Sequence, residues 1–280
     1  MSLKDWKYYN HAVIPAVEPH EEPDLSCIKD KSIWKVGGGG IPFLARWTTD
    51  YDCGYETSWW YCIKDDSFDI KNLSSNYRYK INKGKKLFDV REIRPEQYGE
   101  EIYQVYSEAY ASWPEKYRPT FSIEDAKVLV NKLSKQSNMI CYGAFYKENQ
   151  ELCGIMLAPL FSHHVELQVQ RVKPKYEKYQ INAALVEHLL TEYEIKFKKS
   201  NFYVLDGERS IRHETAFQDY LEKYFGFRKV YCTLNILYRF PLNIMVKILF
   251  PFRKKINSES KIGSLLCAIL RMEEFRRQCE

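Results

Sequence analysis

Between Leu87 and Tyr238 the apolar positions switch repeatedly between a period of two and a period near 3.6, the spacings of strand and helix. Phe88–Ile93 reads as a short strand. Pro95 opens a helix with Ile102, Val105, Tyr106, Ala109 and Tyr110 on one side. Ser122 caps a second, with Asp125 at its third position and Val128, Leu129 and Leu133 behind. Met139–Tyr146 and Leu152–Phe161 form a hairpin pattern turned at Glu148-Asn149-Gln150, and Val165–Val172 (VELQVQRV) alternates as one half-buried strand. A long amphipathic helix is expected from Pro174 to Phe197, then a strand at Phe202–Leu205 and a charged loop from Asp206. An amphipathic run stopped at Gly226-Phe227 and a last strand to Tyr238 complete the pattern. Strand, charged loop, helix is the order in which α/β proteins place chemistry at a strand's end.

The flanks read differently. Residues 1 to about 30 space Pro15, Pro19 and Pro23 among Glu18, Glu21, Glu22 and Asp24, an extended acidic segment. Strand-like runs follow at Ile33–Val36, Phe43–Thr48 and Trp59–Ile63. Gly37–Gly40 separates the first two; a glycine run can cradle phosphate, but no Lys-Ser or Lys-Thr follows it, and a hairpin loop is the expectation. Asp50, Asp52 and Cys53 have no neighbouring His to complete a metal set and read as turn residues; no metal is expected. LSSNYRYKINKGKK (73–86) predicts a helix capped by Ser74, Ser75 or Asn76 and ended by Gly84. Its cluster of Arg78, Lys80, Lys83, Lys85 and Lys86 is either a solvated face or an anion contact. Beyond Arg239 an apolar run (Ile244, Val246, Ile248, Leu249, Phe250) meets Arg253-Lys254-Lys255, and a helical stripe runs from Ile262 to Met272. This tail packs on the domain or a dimer partner, or lies on an anionic membrane surface.

The fold class expected is α/β (α+β). The chain divides into an N-terminal extension with short strands and a basic helix (1–86), a central domain (87–240) and a basic amphipathic helical tail (241–280). Its 22 Tyr, 15 Phe and 6 Trp imply an aromatic interior or cleft. Eight Cys without any C-x-x-C, several inside apolar runs, imply reduced thiols and a cytoplasmic protein. No apolar run approaches the roughly 20 residues of a spanning helix. From Arg239 onward nine Lys and Arg face four Glu, a surplus equal to the net charge of +5 for the whole chain.

Residues 87–240, with Val172–Leu185 (VKPKYEKYQINAAL) and Leu221–Val230 (LEKYFGFRKV), resemble the GNAT acyltransferase superfamily. The resemblance implies a mixed, mostly antiparallel sheet flanked by helices and an acyl-CoA co-substrate. It places Val172, Lys178, Tyr179, Gln180 and Asn182 on the coenzyme's pyrophosphate at a helix N-terminus. Gln180 and Asn182 stand at the family's two glycine positions, Glu177 at its usual Arg, and Glu222 where a tyrosine often serves as general acid. Asn76, Arg78, Ile81 and Lys83 ahead of such a domain resemble Fem-type peptidoglycan aminoacyltransferases, which share the fold and use aminoacyl-tRNA.

Acyl transfer to an amine of a small molecule or cell-envelope precursor is the activity these resemblances imply. It needs a base, oxyanion donors and an acid. Glu166, Glu208 and His213 are the catalytic candidates, and Gln168, Asp206, Arg209 and Arg78 the substrate-binding ones. Asp206 and Glu208 instead form ion pairs with Arg209 and Arg212 if the loop is structural. tRNA is the partner in the Fem-type reading, and a binding module without catalysis is the third.

Overall fold

The computed structural model describes residues 3–199, 201–211, 216–256 and 260–279. These form two compact units, one of residues 1–62, 208–216 and 229–280, the other of residues 63–207 and 217–228.

The first unit begins with a hairpin, β1 (Trp6–Tyr9) against β2 (Ala12–Pro15). The acidic, proline-rich pattern concealed it. Its turn is Asn10-His11, both with positive φ, the backbone that suits the twist of a two-residue hairpin. After a one-turn helix α1 (Ser26–Lys29), Ile33 and its neighbours form a 3-10 turn over Ser32–Lys35, not a strand. The Asp30 carboxylate accepts from the Ser32 N–H at 2.8 Å and starts that turn, and Ile33 drops into the core beside Trp6, Val13 and Ala45. β2 runs parallel to β3 (Leu44–Thr49). β4 (Trp59–Lys64) follows a turn in which Asp50 and Asp52 both take positive φ.

In the second unit α2 (Ser75–Leu87) leads into β5 (Phe88–Glu92). Gly84 does not end this helix. A Cβ there would sit 2.5 Å from the Gln180 carbonyl oxygen, so the glycine lets α2 lie directly on the chain at that point. After α3 (Gly99–Ala111) comes α4 (Ile123–Ser134), which opens on the capping box between Ser122 and Asp125. β6 (Met139–Tyr146) and β7 (Leu152–Pro159) make the expected hairpin. Their inner face packs Phe145, Leu152, Ile155 and Leu157 against Ile102, Val105 and Tyr106 of α3.

The stretch read as one strand is two, β8 (His164–Glu166) and β9 (Val169–Val172). β9 closes the antiparallel sheet in the order β5-β6-β7-β9. The expected long helix also divides. Pro174–Tyr179 is 3-10, Gln180 takes φ 67°, and α5 (Ile181–Lys199) starts after it. β10 (Tyr203–Glu208) runs parallel to β8, and α6 (Ala216–Phe225) ends at Gly226, whose φ of 68° favours glycine.

β11 (Arg228–Tyr238) returns to the first unit, antiparallel to β3 with Leu234 opposite Thr48. Two helices follow, α7 (Leu242–Leu249) and α8 (Lys261–Gln278). Val246, Ile269, Leu270 and Met272 bury against Leu44, while Phe275 joins Trp59, Cys232 and Leu234. No helix among the described residues is long and apolar enough to cross a membrane.

Candidate functional site

Between β8 and β9, two consecutive amides turn to opposite neighbours. The Leu167 N–H donates to the Leu205 carbonyl of β10 at 2.7 Å; the Gln168 N–H donates to the Leu157 carbonyl of β7 at 3.1 Å. Before this point the chain pairs with β10, with Glu166 opposite Leu205. After it, Val169–Val172 pairs among the described residues with β7 alone, in register with Gly154–Leu157. Backbone hydrogen bonding thus passes from one strand to the other within one residue, and β9 and β10 separate.

A cavity of about 440 Å³ opens at this separation. One wall is Gln168–Val172, and Asp206 comes from β10. The end of α3 supplies Ser112 and Trp113, α6 supplies Phe217, and Glu177 and Asn182 come from the chain that leads into α5. Its lining combines aromatic faces with polar tips, the composition of a small-molecule site.

Asp206 is the titratable group whose state matters most here. Burial raises its carboxyl from 3.8 to about 7; the Gln218 side chain opposes that shift and the Glu166 charge adds to it. A carboxylate with such a value exchanges a proton near neutrality, as a general base must. On β9, Arg171 donates from Nη1 to the Gln170 carbonyl at 2.8 Å, and its guanidinium lies over Tyr110 and Trp113, 5.7 and 5.5 Å from the ring centres. Its Nε is buried without a hydrogen-bond partner among the described residues. Gln170 donates from Nε2 to Asn182 Oδ1 at 2.6 Å, while its own Oε1 is buried and unpartnered. A cation, an amide and a half-buried carboxyl raised to about 7 thus line one cavity.

Of the residues selected from sequence, Gln168, Val172, Asn182 and Asp206 line this cavity, with Glu166 close enough to raise Asp206. Lys178, Tyr179 and Gln180 occupy the turn before α5 and are not part of its lining. The Lys178 carbonyl accepts from Lys83 Nζ at 3.0 Å, and the Tyr179 ring stacks 6.1 Å from Tyr146. Arg78 is exposed on α2 and donates to the Lys71 carbonyl at 3.2 Å. Glu208 and Arg209 belong to the first unit. Glu208 accepts both ends of the Arg46 guanidinium, including an Nη1 bond of 2.8 Å. Arg209 donates to the Ser58 carbonyl at 2.7 Å and lies over the Phe275 ring. His213 lies outside the described residues. Sequence reasoning did not select Gln170, Arg171, Trp113 or Phe217 as site residues. For Gln170 and Arg171 the signal is two polar residues in succession, where the alternation fails.

No family model and no curated protein matches the sequence. Among solved structures, L-PGS from Bacillus licheniformis is similar over 98% of this chain and 86% of its own, with a TM-score of 0.54 and 15% identity. Shorter matches include the PaiA N-acetyltransferase of Thermoplasma acidophilum in complex with coenzyme A (22% identity, 40% and 72% coverage, TM-score 0.29). Another is the aminoglycoside 6'-N-acetyltransferase of Acinetobacter baumannii (14%, 54% and 96%, 0.36). The likeness is one of fold, which is GNAT-like, with mixed, mostly antiparallel sheets flanked by helices and a helix at the C-terminus.

Proposed function

We propose that the protein is an acyl- or aminoacyltransferase whose reaction takes place in the cavity between β9 and β10. One observation carries this reading: a carboxyl raised to about 7 within β10, in a cleft that opens where β9 leaves it. In the proposed step, Asp206 accepts the proton of the acceptor's amine or hydroxyl as that nucleophile attacks the donor's carbonyl carbon. The C–N or C–O bond to the acceptor forms, the bond to the donor's leaving group breaks, and the leaving group takes a proton in turn. Arg171 and the side-chain amide of Gln168 are the donors suited to the tetrahedral oxyanion.

The lining favours an aminoacyl ester over acyl-CoA as donor. Where a pyrophosphate would approach the start of α5, Asn182 is held by Gln170, Glu177 brings a negative charge, and α2 rests on Gln180 through Gly84. These residues do not suit the coenzyme's diphosphate. The basic face of α2, with Arg78 and Lys86 exposed beside Tyr79, supports tRNA as the carrier. The whole-chain likeness to L-PGS, a lysylphosphatidylglycerol synthetase, supports an acceptor among cell-envelope precursors. Calorimetric titration with charged tRNA and with acetyl-CoA, followed by a label-transfer assay, tests the reading. Binding of charged tRNA alone is expected. Tight binding of acetyl-CoA would reverse the choice of donor, and binding of neither would remove the transferase reading.

A further inference from the structure

The first unit carries apolar surface that its own core does not use. On one side of α7, Leu242, Val246 and Leu249 sit at positions i, i+4 and i+7 and pack with Leu44, Ile269 and Leu270. On another side Ile244, Met245 and Ile248 are 48%, 42% and 61% exposed. Phe240 before the helix is 75% exposed and Phe252 after it 55%. Five large apolar side chains therefore project outward within thirteen residues of sequence, on an element whose core face is already filled. Isolated exposed apolar residues need no explanation, but a contiguous group of this kind does.

Charge decides what covers it. From Arg239 to Ile256 the chain has five cations (Arg239, Lys247, Arg253, Lys254 and Lys255) and no acidic residue. Arg253 is held by Glu274 at 2.8 Å, and Arg239 lies over the Trp34 ring. Lys247, Lys254 and Lys255 are exposed beside the apolar side chains. A second copy docking through the same patch would set these lysines against their equivalents. A surface that is negative outside and apolar beneath complements both features. Eight residues of helix span about 12 Å, too short to cross a bilayer but enough to lie along its interface.

We propose that Phe240–Lys255 is a docking surface for an anionic lipid bilayer, with Ile244, Met245, Ile248, Phe240 and Phe252 entering the headgroup boundary and the three lysines meeting lipid phosphates. It lies in the first unit, so it stands independently of the proposed transfer chemistry. The full-length protein is floated with vesicles of phosphatidylcholine alone and of equimolar phosphatidylcholine and phosphatidylglycerol, at low and high salt. Flotation is expected with the anionic vesicles only, and it should weaken with salt. I244E/I248E should abolish it, and K254Q/K255Q should lower the partition coefficient roughly fivefold per lysine. Both variants alter exposed positions, and an unchanged melting curve verifies that each is folded. Equal flotation on uncharged vesicles, no flotation, or insensitivity to both variants overturns the proposal. So does a dimer in sedimentation that I248E dissociates, which would make a second copy the occupant.

Discussion

Replacing Asp206 with Asn tests the central feature of the cavity, because the carboxyl should leave a signature in stability and in turnover alike. Its folded value of about 7 lies above its ordinary value of 3.8. The folded protein therefore keeps a proton that the unfolded chain gives up, and stability falls as pH rises from about 4 to about 7 and is level above that. At about 1.4 kcal/mol per pH unit, the full interval is worth about 4 kcal/mol, an upper figure because the residue is only half-buried. Between pH 5 and pH 8 the wild type should lose about 2.5 kcal/mol relative to D206N. Urea denaturation of both proteins at the two pH values measures this directly, and groups common to both cancel in the difference. Turnover should rise with pH through about 7 in the wild type, in step with loss of that proton. D206N should lie about 100-fold or more below it, without that rise. Parallel stability curves for the two proteins would mean that Asp206 is ordinarily ionised, and the assignment of a base to this position would fall.

Other changes bear on the frame around the cavity. Glu151 is held down to about 2 by hydrogen bonds from Lys173, Tyr176 and Lys175, which outweigh its burial. Lys173 is 2% exposed, and its other carboxylate, Glu108, is more distant at 3.6 Å. E151A should therefore cost about 3 kcal/mol in chemical denaturation, and the wild type should lose this contribution only as pH falls from about 4.5 towards 2. Gly84→Ala gains about 1 kcal/mol of helix propensity but drives a methyl into the Gln180 carbonyl, and overpacking of about 1–3 kcal/mol should win; a higher melting temperature would contradict the close packing of α2. E208Q leaves the buried Arg46 guanidinium without the charge of its carboxylate partner, so a loss of about 2 kcal/mol in urea is expected. An unchanged midpoint would return Glu208 to the list of functional candidates.

What could be read in the sequence follows from how local each determinant is. The Ser122–Asp125 capping box and the β6–β7 hairpin are set by residues within a few positions of one another, and both stand where the pattern placed them. The Asn10-His11 hairpin was equally local, but its turn residues are not the usual glycine pair, and the prolines around it resembled an extended segment. Gly84 and Gln180 misled for the opposite reason. Glycine near the end of a helix ordinarily terminates it, whereas here it answers a backbone 96 residues away, a contact no periodicity encodes.

The strand break explains why the cavity itself was hidden. VELQV alternates straight through Leu167-Gln168 and the pattern faults only later, at Gln170-Arg171, so the change of neighbour leaves no mark where it occurs. Alternation reports which face a residue takes, not which neighbour accepts its N–H. That choice is made by Leu205 and Leu157, from two different strands, and it decides that Gln170 and Arg171 line an opening. Asp206 was visible as one of several charges in a loop after a strand. The pairing of β8 with β10 sets it near Glu166, and burial, not its place in the sequence, gives it a proton to exchange near neutrality. Glu208, two residues on and of the same charge, has Arg46 as its partner. The two carboxylates thus differ in role through the partners that the fold brings to them.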